Sequence, residues 1–315
     1  MAGRVAIWIV VGVAVAVMTA WAAGALYYSG APAPLRGILA IGFNIVFGYA
    51  GQLTMFHGAA FGIGGYATFL ILTKLATSFW LAMLPMFGII LLLSLLVGWV
   101  CFKFRLREFY FAVVTLAFAE LIRLVVLNWN DVTNGSLGLL VLDKPTVWWP
   151  GRGVVKIDGT LPWYLLALTA LCAVTIASQL ILRSWIGRNF AAIRLNEELA
   201  QTLGINTFRY KMLAFTISNL FAALAGALFG FYSNYIEPAQ LSIAQSLDAI
   251  AMVLLGGMGS ILGPIVGAML LTGLPHVIEF SAELRAATYG AILIVVILLM
   301  PRGIVGLFSR WRHVS

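Results

Sequence analysis

Two stretches of this chain, Val5 to Leu26 and Leu81 to Val100, run without one charged side chain, each about the twenty residues that an α-helix needs to cross a hydrocarbon core about 30 Å thick. Nothing else in the sequence narrows the fold so far. Inside lipid every backbone N–H and C=O must find its partner within the protein, which leaves helices and closed barrels. Barrel strands would alternate apolar and polar residues over segments of about ten, and these runs do not alternate. Only 10% of the 315 residues are charged and 62% are hydrophobic, against about 25% charged in soluble domains. The chain reads as an all-α integral membrane protein, a polytopic helical bundle of about 8 to 10 membrane segments forming a single domain over residues 1–315.

Polar and Gly/Pro breaks divide the apolar sequence into Val5 to Tyr28, Arg36 to Tyr49, His57 to Lys74, Trp80 to Phe102, Phe109 to Leu127, Trp163 to Leu182, Met212 to Phe231, Gln245 to Leu255, Gly263 to Ile278 and Ala286 to Met300. The first run is longer than the roughly 7 to 15 apolar residues of a signal-peptide core, so it is read as a retained span. Cys101 and Cys172 fall in or beside apolar runs, where ordinary buried thiols are expected rather than a disulfide or a metal site.

Basic loops stay in the cytoplasm. Lys103, Arg105 and Arg107 form one cluster, Arg183, Arg188, Arg194, Arg209 and Lys211 a second, and Arg302, Arg310 and Arg312 a third. Placing all three inside gives the net charge of +8 a membrane explanation and removes the case for nucleic acid. Residues 128–162 then form an extracytoplasmic loop, with turns at Asn134-Gly135 and Pro150-Gly151, little regular structure, and Trp148, Trp149 and Trp163 as an interfacial belt. Residues 183–211 form a cytoplasmic loop. Parity also requires Arg36 to Lys74 and Gln245 to Ile278 each to be a broken pair of elements, crossing fully or re-entering from outside. One such pair in each half suggests an internal repeat, parallel rather than inverted.

Short, glycine-interrupted segments at matching places in two halves point to a transport path, because broken helices expose backbone groups that only protein or a water-filled cavity can satisfy. The candidates are Asn44, Gly51, Gln52, Thr54 and His57 in the first pair and Gly256, Gly257, Gly259 and Ser260 in the second. The same glycines also fit simple helix packing, as at Gly58 and Gly62, Gly226 and Gly230, and Gly259 and Gly263. Glu120 and Arg123 lie three apart on one helix face inside an apolar run, which suits an intramembrane ion pair or a substrate contact. His57 reads as a hydrogen-bonded interior histidine or a proton relay, and Asp248 as a helix N-terminal acid. These charges would also serve a secondary, ion-coupled transporter using Glu120, Arg123 or His57. The sequence holds no Gly-Lys dipeptide, so a P-loop is excluded, and no catalytic or metal-ligating pattern is present.

In the basic loop, Phe190, Ile193, Leu199 and Leu203 recur near helical spacing after Asn189, a candidate N-cap, and Gly204 and Asn206 supply a stop. This predicts one short amphipathic helix. Spacing alone leaves open whether it meets a protein partner or lies at the lipid interface.

The stretches IGFNIVFGYAGQLTMFHGAAFGIGGYAT, FYFAVVTLAFAELIRLVVLN, GRNFAAIRLNEELAQTLGINTFRYKMLAFTISNLFAALAGALFG, VLLGGMGSILGPIVGA and PRGIVGLF resemble, in order, the LivM-type permease family of branched-chain amino-acid ABC importers. Where that family commonly has a Gly-Gly-Ser-Asp-Gly-Leu external turn, this chain has Asn134-Gly135-Ser136-Leu137-Gly138-Leu139, without the acid. The resemblance implies import of branched-chain or other hydrophobic amino acids, or a related small solute, across the bacterial inner membrane. It implies that Ala191 to Gly204 couples to an ATPase through Arg194, Glu197, Glu198, Ala200 and Gly204. It further implies a second homologous permease in a heterodimer, two cytoplasmic ATPase subunits that use ATP and magnesium, and an extracytoplasmic solute-binding protein, with no cofactor on this chain.

Overall fold

A computed structural model describes residues 33–75, 78–104, 106, 108–140, 145–149, 153–157 and 159–277. The apolar runs expected at Val5 to Tyr28 and Ala286 to Met300, and the third basic cluster, lie outside the described residues.

Five described helices are long and apolar enough to cross a membrane, and three shorter apolar ones accompany them. In chain order, α1 (Ala33–Phe43) continues as a π-helical turn (Asn44–Tyr49), and α2 is His57–Leu75. Helices α3 (Phe79–Lys103) and α4 (Glu108–Asn128) follow, then a single turn α5 (Asn130–Thr133). After the outer loop come α6 (Thr160–Arg183), the short α7 (Trp185–Leu195) and α8 (Glu197–Thr202), and the longest helix, α9 (Thr207–Ser233). Helices α10 (Ile243–Gly256) and α11 (Leu262–Val277) complete the described chain.

Helix α9 is the axis of the bundle. Serine and asparagine fix its register against α3, where Asn219 Nδ2 donates to Ser94 Oγ at 3.1 Å, while Phe79 meets Phe231 and Phe102 meets Phe215, so the two helices run antiparallel. Against α2 the partners rise together, His57 with Ser218, Phe61 with Phe229 and Phe69 with Phe231, so these two run parallel. Small residues allow that contact: the Cα of Gly226 abuts the backbone of Phe61, and Gly64 abuts that of Ala223. Gly58, Gly62 and Gly230 are also in tight helix contacts, so the packing reading of these glycines holds.

The charged loop and the loop of residues 128–162 lie at opposite ends of the bundle. At one end Leu106 and Phe102 share a cleft of about 810 Å³ with Glu197, Asn206 and Lys211 of the charged loop. At the other, the outer loop is tied to the ends of α3 and α9. Strand β1 (Leu139–Leu140) pairs antiparallel with β4 (Tyr235–Ile236), Tyr235 donates to Leu137 O at 2.6 Å, and Trp80 Nε1 donates to Thr146 O at 2.9 Å.

The outer loop departs from expectation. Instead of little regular structure it holds α5, a 3-10 turn (Gly135–Leu137) and a hairpin of β2 (Thr146–Trp149) with β3 (Gly153–Lys156). Trp163 leaves the expected interfacial belt and is buried against Tyr232, with ring centroids 6.2 Å apart. Asn134 does turn the chain, in the left-handed region at φ 60°. Cys101 is buried and Cys172 half-buried, both free thiols.

Candidate functional site

The first broken pair is a hairpin whose second arm starts short of its tip. Helix α1 and its π turn descend to Tyr49, yet α2 begins level with Leu39, because His57 Nε2 donates to Leu39 O at 2.9 Å. Residues 51–56 therefore climb back through the interior outside any helix, with Thr54 and Phe56 at 0% exposure. Buried backbone must be partnered, and four of the N–H groups of this segment have partners here. Gly51 N–H donates to Phe47 O, Gln52 N–H to Val46 O, Met55 N–H to Thr115 Oγ1 and Phe56 N–H to Thr54 Oγ1. Ser246 of α10 completes the set, donating to Met55 O at 2.8 Å and accepting from Gly58 N at 2.8 Å. His57 is enclosed, its Nδ1 facing Ser218 Oγ at 3.2 Å, so both ring nitrogens are occupied.

The second broken pair is a hairpin of α10 and α11 held tip to base by glycine contacts, Gly256 against Gly263 and Met252 against Gly267. Its turn at 257–261 needs Gly259 at φ +74°, a conformation L side chains rarely adopt. Ser260 Oγ accepts from Gly263 N at 3.0 Å and so opens α11.

These two breaks, some 215 residues apart, are joined by Asn44. Its amide Nδ2 donates to Ser260 O at 2.8 Å, and its Oδ1 accepts from Gly259 N at 3.0 Å. Beside that joint Arg194 Nη1 donates to Gly48 O, and the Arg194 stem packs over Gly51. Asn44, Gly51, Gly259 and Ser260 thus meet Arg194 at the basic end. Gln52, Thr54 and His57 lie deeper and enclosed.

The charged loop differs from the single helix expected from spacing. Asn189 is no N-cap: it is buried inside α7, which is capped instead by Ser184 Oγ accepting from Ile186 N at 3.1 Å. The chain then breaks at Asn196, whose Oδ1 accepts from Leu199 N at 3.0 Å and starts α8 with two acidic residues in its first turn. Gly204, at φ +82°, does end it: its N–H donates to Gln201 O and that of Ile205 to Ala200 O, a Schellman closure. Asn206 is not part of the stop but caps α9, accepting from Arg209 N at 3.1 Å. The expected apolar face is divided. Phe190 and Ile193 point into the protein, while Leu199 and Leu203 project outward with Leu195. Glu198 is exposed beside them, Ala200 is buried, and Glu197 Oε2 holds the buried Lys211 Nζ at 2.5 Å. Replacing Asn196 with alanine removes the α8 cap, worth about 1 kcal/mol. Amide exchange confined to Glu197–Thr202 should accelerate about fivefold, with the melting temperature of the whole protein little changed.

Elsewhere, Glu120 and Arg123 of α4 form the expected ion pair, two contacts at 2.5 and 2.9 Å. Asp248 lies in the second turn of α10, so it is not a helix N-terminal acid. Among the described residues no group of three or more His, Cys, Asp or Glu could hold a metal. Thr115, Ser218 and Ser246 were missed as supports, since an isolated hydroxyl in an apolar run carries no spacing signal.

Multiple apolar spans, two broken helix pairs joined at their tips and a charged loop bonded to the first of those tips suit a multi-pass membrane protein. The model of the branched-chain amino acid transport system permease component family matches residues 31–300, and the chain belongs to that family. It is 30% identical over 286 residues to the high-affinity branched-chain amino acid transport system permease protein LivM of Salmonella typhimurium, covering 85% of this chain and 67% of that protein. To the corresponding LivH protein of the same organism it is 28% identical over 284 residues, 85% of this chain and 90% of that one. The autoinducer 2 import system permease protein LsrC of Salmonella paratyphi B is 31% identical over 175 residues, 53% of this chain and 46% of its own length. No solved structure matches.

Proposed function

We propose that this permease imports branched-chain or other hydrophobic amino acids across a bacterial inner membrane. It would work as one of two homologous permease subunits beside two cytoplasmic ATPases and an extracytoplasmic solute-binding protein. The substrate class comes from the names of the LivM and LivH relatives, which match 85% of the chain, whereas the match to LsrC is confined to 53%. ATP and magnesium belong to the partner subunits, and the chain itself performs no chemistry.

The observation that carries the coupling role is Arg194. It ends α7 on the exposed loop, yet its guanidinium bonds the first break at Gly48 and sits beside Gly259 of the second. A push on α7 and α8 therefore reaches both re-entrant tips through one side chain. The surface that receives the push is Glu198 with the outward leucines 195, 199 and 203, an apolar ridge flanked by charge, of the kind that fills a protein cleft. Glu197 is assigned to holding that ridge in place through Lys211, and Ala200 to packing it.

Glu198→Arg and Gly204→Arg test this. Arginine at 198 reverses the charge of the ridge, and at 204 it strains the left-handed closure by about 1 kcal/mol or more. In proteoliposomes containing the whole complex, ATP-driven leucine uptake should fall about tenfold in both while the subunits still insert. Uptake at the normal rate in both variants rejects the coupling role. Uptake that needs an ion gradient and not ATP rejects the importer reading itself.

A further inference from the structure

The polar residues of the first break are sealed inside the bundle, with Thr54 and His57 wholly enclosed and Gln52 6% exposed. A polar solute crossing beside them needs a wet wall elsewhere. Four of the five spans keep their charges near their ends: in α2, α3, α6 and α9 these are Lys74, Lys103, Arg183, Arg209 and Lys211, all within two turns of a terminus. Helix α4 is different. Its Glu120 stands about 18 Å from the inner end and about 12 Å from the outer end. Arg123 does not relieve this by reaching outward. Its guanidinium turns back toward the inner end and grips Glu120 at 2.5 and 2.9 Å, where a snorkelling arginine would reach for the outer headgroups.

Rotation about α4 decides which way the pair faces. Phe111, Thr115 and Ala119 are buried against the rest of the chain. At about 100° per residue, Arg123 lies about 80° and Glu120 about 140° round from Thr115, with Leu116 at about 100° and Leu127 at about 120° between them. The four make one stripe along a flank of α4. Ala117 and Leu121 lie on the other flank, about 160° and 120° round the opposite way. The stripe is half-buried, and at its middle the Arg123 and Glu120 side chains are 27% and 36% exposed. Their bridge occupies two of the five guanidinium N–H donors, and lipid has no acceptor for the others. Charges at this depth face a bundle interior or water, and the rotation turns Glu120 away from its own interior.

We infer that the stripe of Leu116, Glu120, Arg123 and Leu127 is the wall this chain presents to a water-filled transport path between it and a second permease subunit, and that the ion pair keeps this wall wet. This rests on the importer reading above. The pair offers water both donors and acceptors at a depth where an apolar wall would shed it. It does so with no net charge, which suits the passage of a zwitterion. The far flank, with Ala117 and Leu121, faces lipid.

The test uses the whole complex in proteoliposomes with a charged, membrane-impermeant thiol reagent as the probe. Wild type, whose Cys101 is buried and Cys172 half-buried, sets the background. In the isolated chain Ala117 and Leu121 are exposed and Leu116 and Leu127 only half-buried, so bare exposure predicts faster labelling of A117C and L121C. A wet stripe predicts the reverse. Because a charged reagent enters lipid poorly, L116C and L127C should label at least about tenfold faster than the other two. A smaller difference, or no labelling of the stripe above wild type, overturns the wet wall. E120L/R123L then removes the polar groups, and labelling of L116C in that background should fall at least about fivefold. A smaller fall means that the pair does not hold the water and overturns its role. Should L116C not assemble, L127C is judged by the same thresholds. Failure of both cysteine variants, or of the leucine background, to assemble makes the stripe a packing surface and overturns the wet wall as well. Labelling needs no import, so the wall can fail while the importer reading stands, and that reading fails separately if wild type shows no ATP-driven leucine uptake.

Discussion

Gly226→Val is expected to leave almost no folded protein, with detergent extracts giving aggregate where the wild-type chain elutes as a single species. A side chain at 226 would enter the backbone carbonyl of Phe61. That carbonyl is part of α2 and cannot swing aside, so α2 must lift off α9, the axis against which most of the bundle is packed. Overpacking against mobile side chains costs roughly 1–3 kcal/mol. Here the obstacle is main chain and the cost exceeds that range, a large part of the roughly 5–15 kcal/mol that holds a typical protein together. Gly88→Val is the control. Nothing lies within 4 Å of a Cβ at Gly88, so this variant should elute like wild type and melt within about 2 °C of it. Equal behaviour of the two variants would contradict the packing of α2 on α9.

The second large effect is expected from Asn44→Leu, which keeps the volume at the joint but not its hydrogen bonds. Gly259 N–H and Ser260 C=O lose their partner, and each unsatisfied group costs about 1–3 kcal/mol. The cost falls on the contact between the two breaks and not on either hairpin alone. The melting temperature should drop by about 5 °C or more. Amide exchange at Gly259, whose N–H then has no acceptor, should accelerate as the tips part. Unchanged exchange, together with an unchanged melting temperature, would mean that Asn44 does not hold the breaks together.

The spans themselves were legible in the sequence because lipid imposes a length and forbids charge, and α3, α4, α6 and α9 fall where unbroken runs placed them. The breaks were legible too, as glycines at AGQLTMFHG and LLGGMGSILGP. What could not be read was that they touch. Asn44 and Gly259 stand in separate halves until tertiary packing sets one against the other, and nothing in the sequence shows that Arg194, assigned to the coupling loop by resemblance, reaches them. The hairpin in the outer loop escaped notice because strands of four residues give too short an alternation to stand out. At Asn196 a helix start was written in the sequence, an asparagine followed by two glutamates. The periodicity running through it from Phe190 to Leu203 hid it.

The leucines at 195, 199 and 203 are 87%, 58% and 72% exposed in the isolated chain. Within a finished complex they can be covered, but a copy synthesised in excess has only water or headgroups against them, and exposed apolar side chains grouped in this way invite aggregation. The ridge to which the coupling role is assigned is therefore also what distinguishes an orphan chain from one whose ridge is covered.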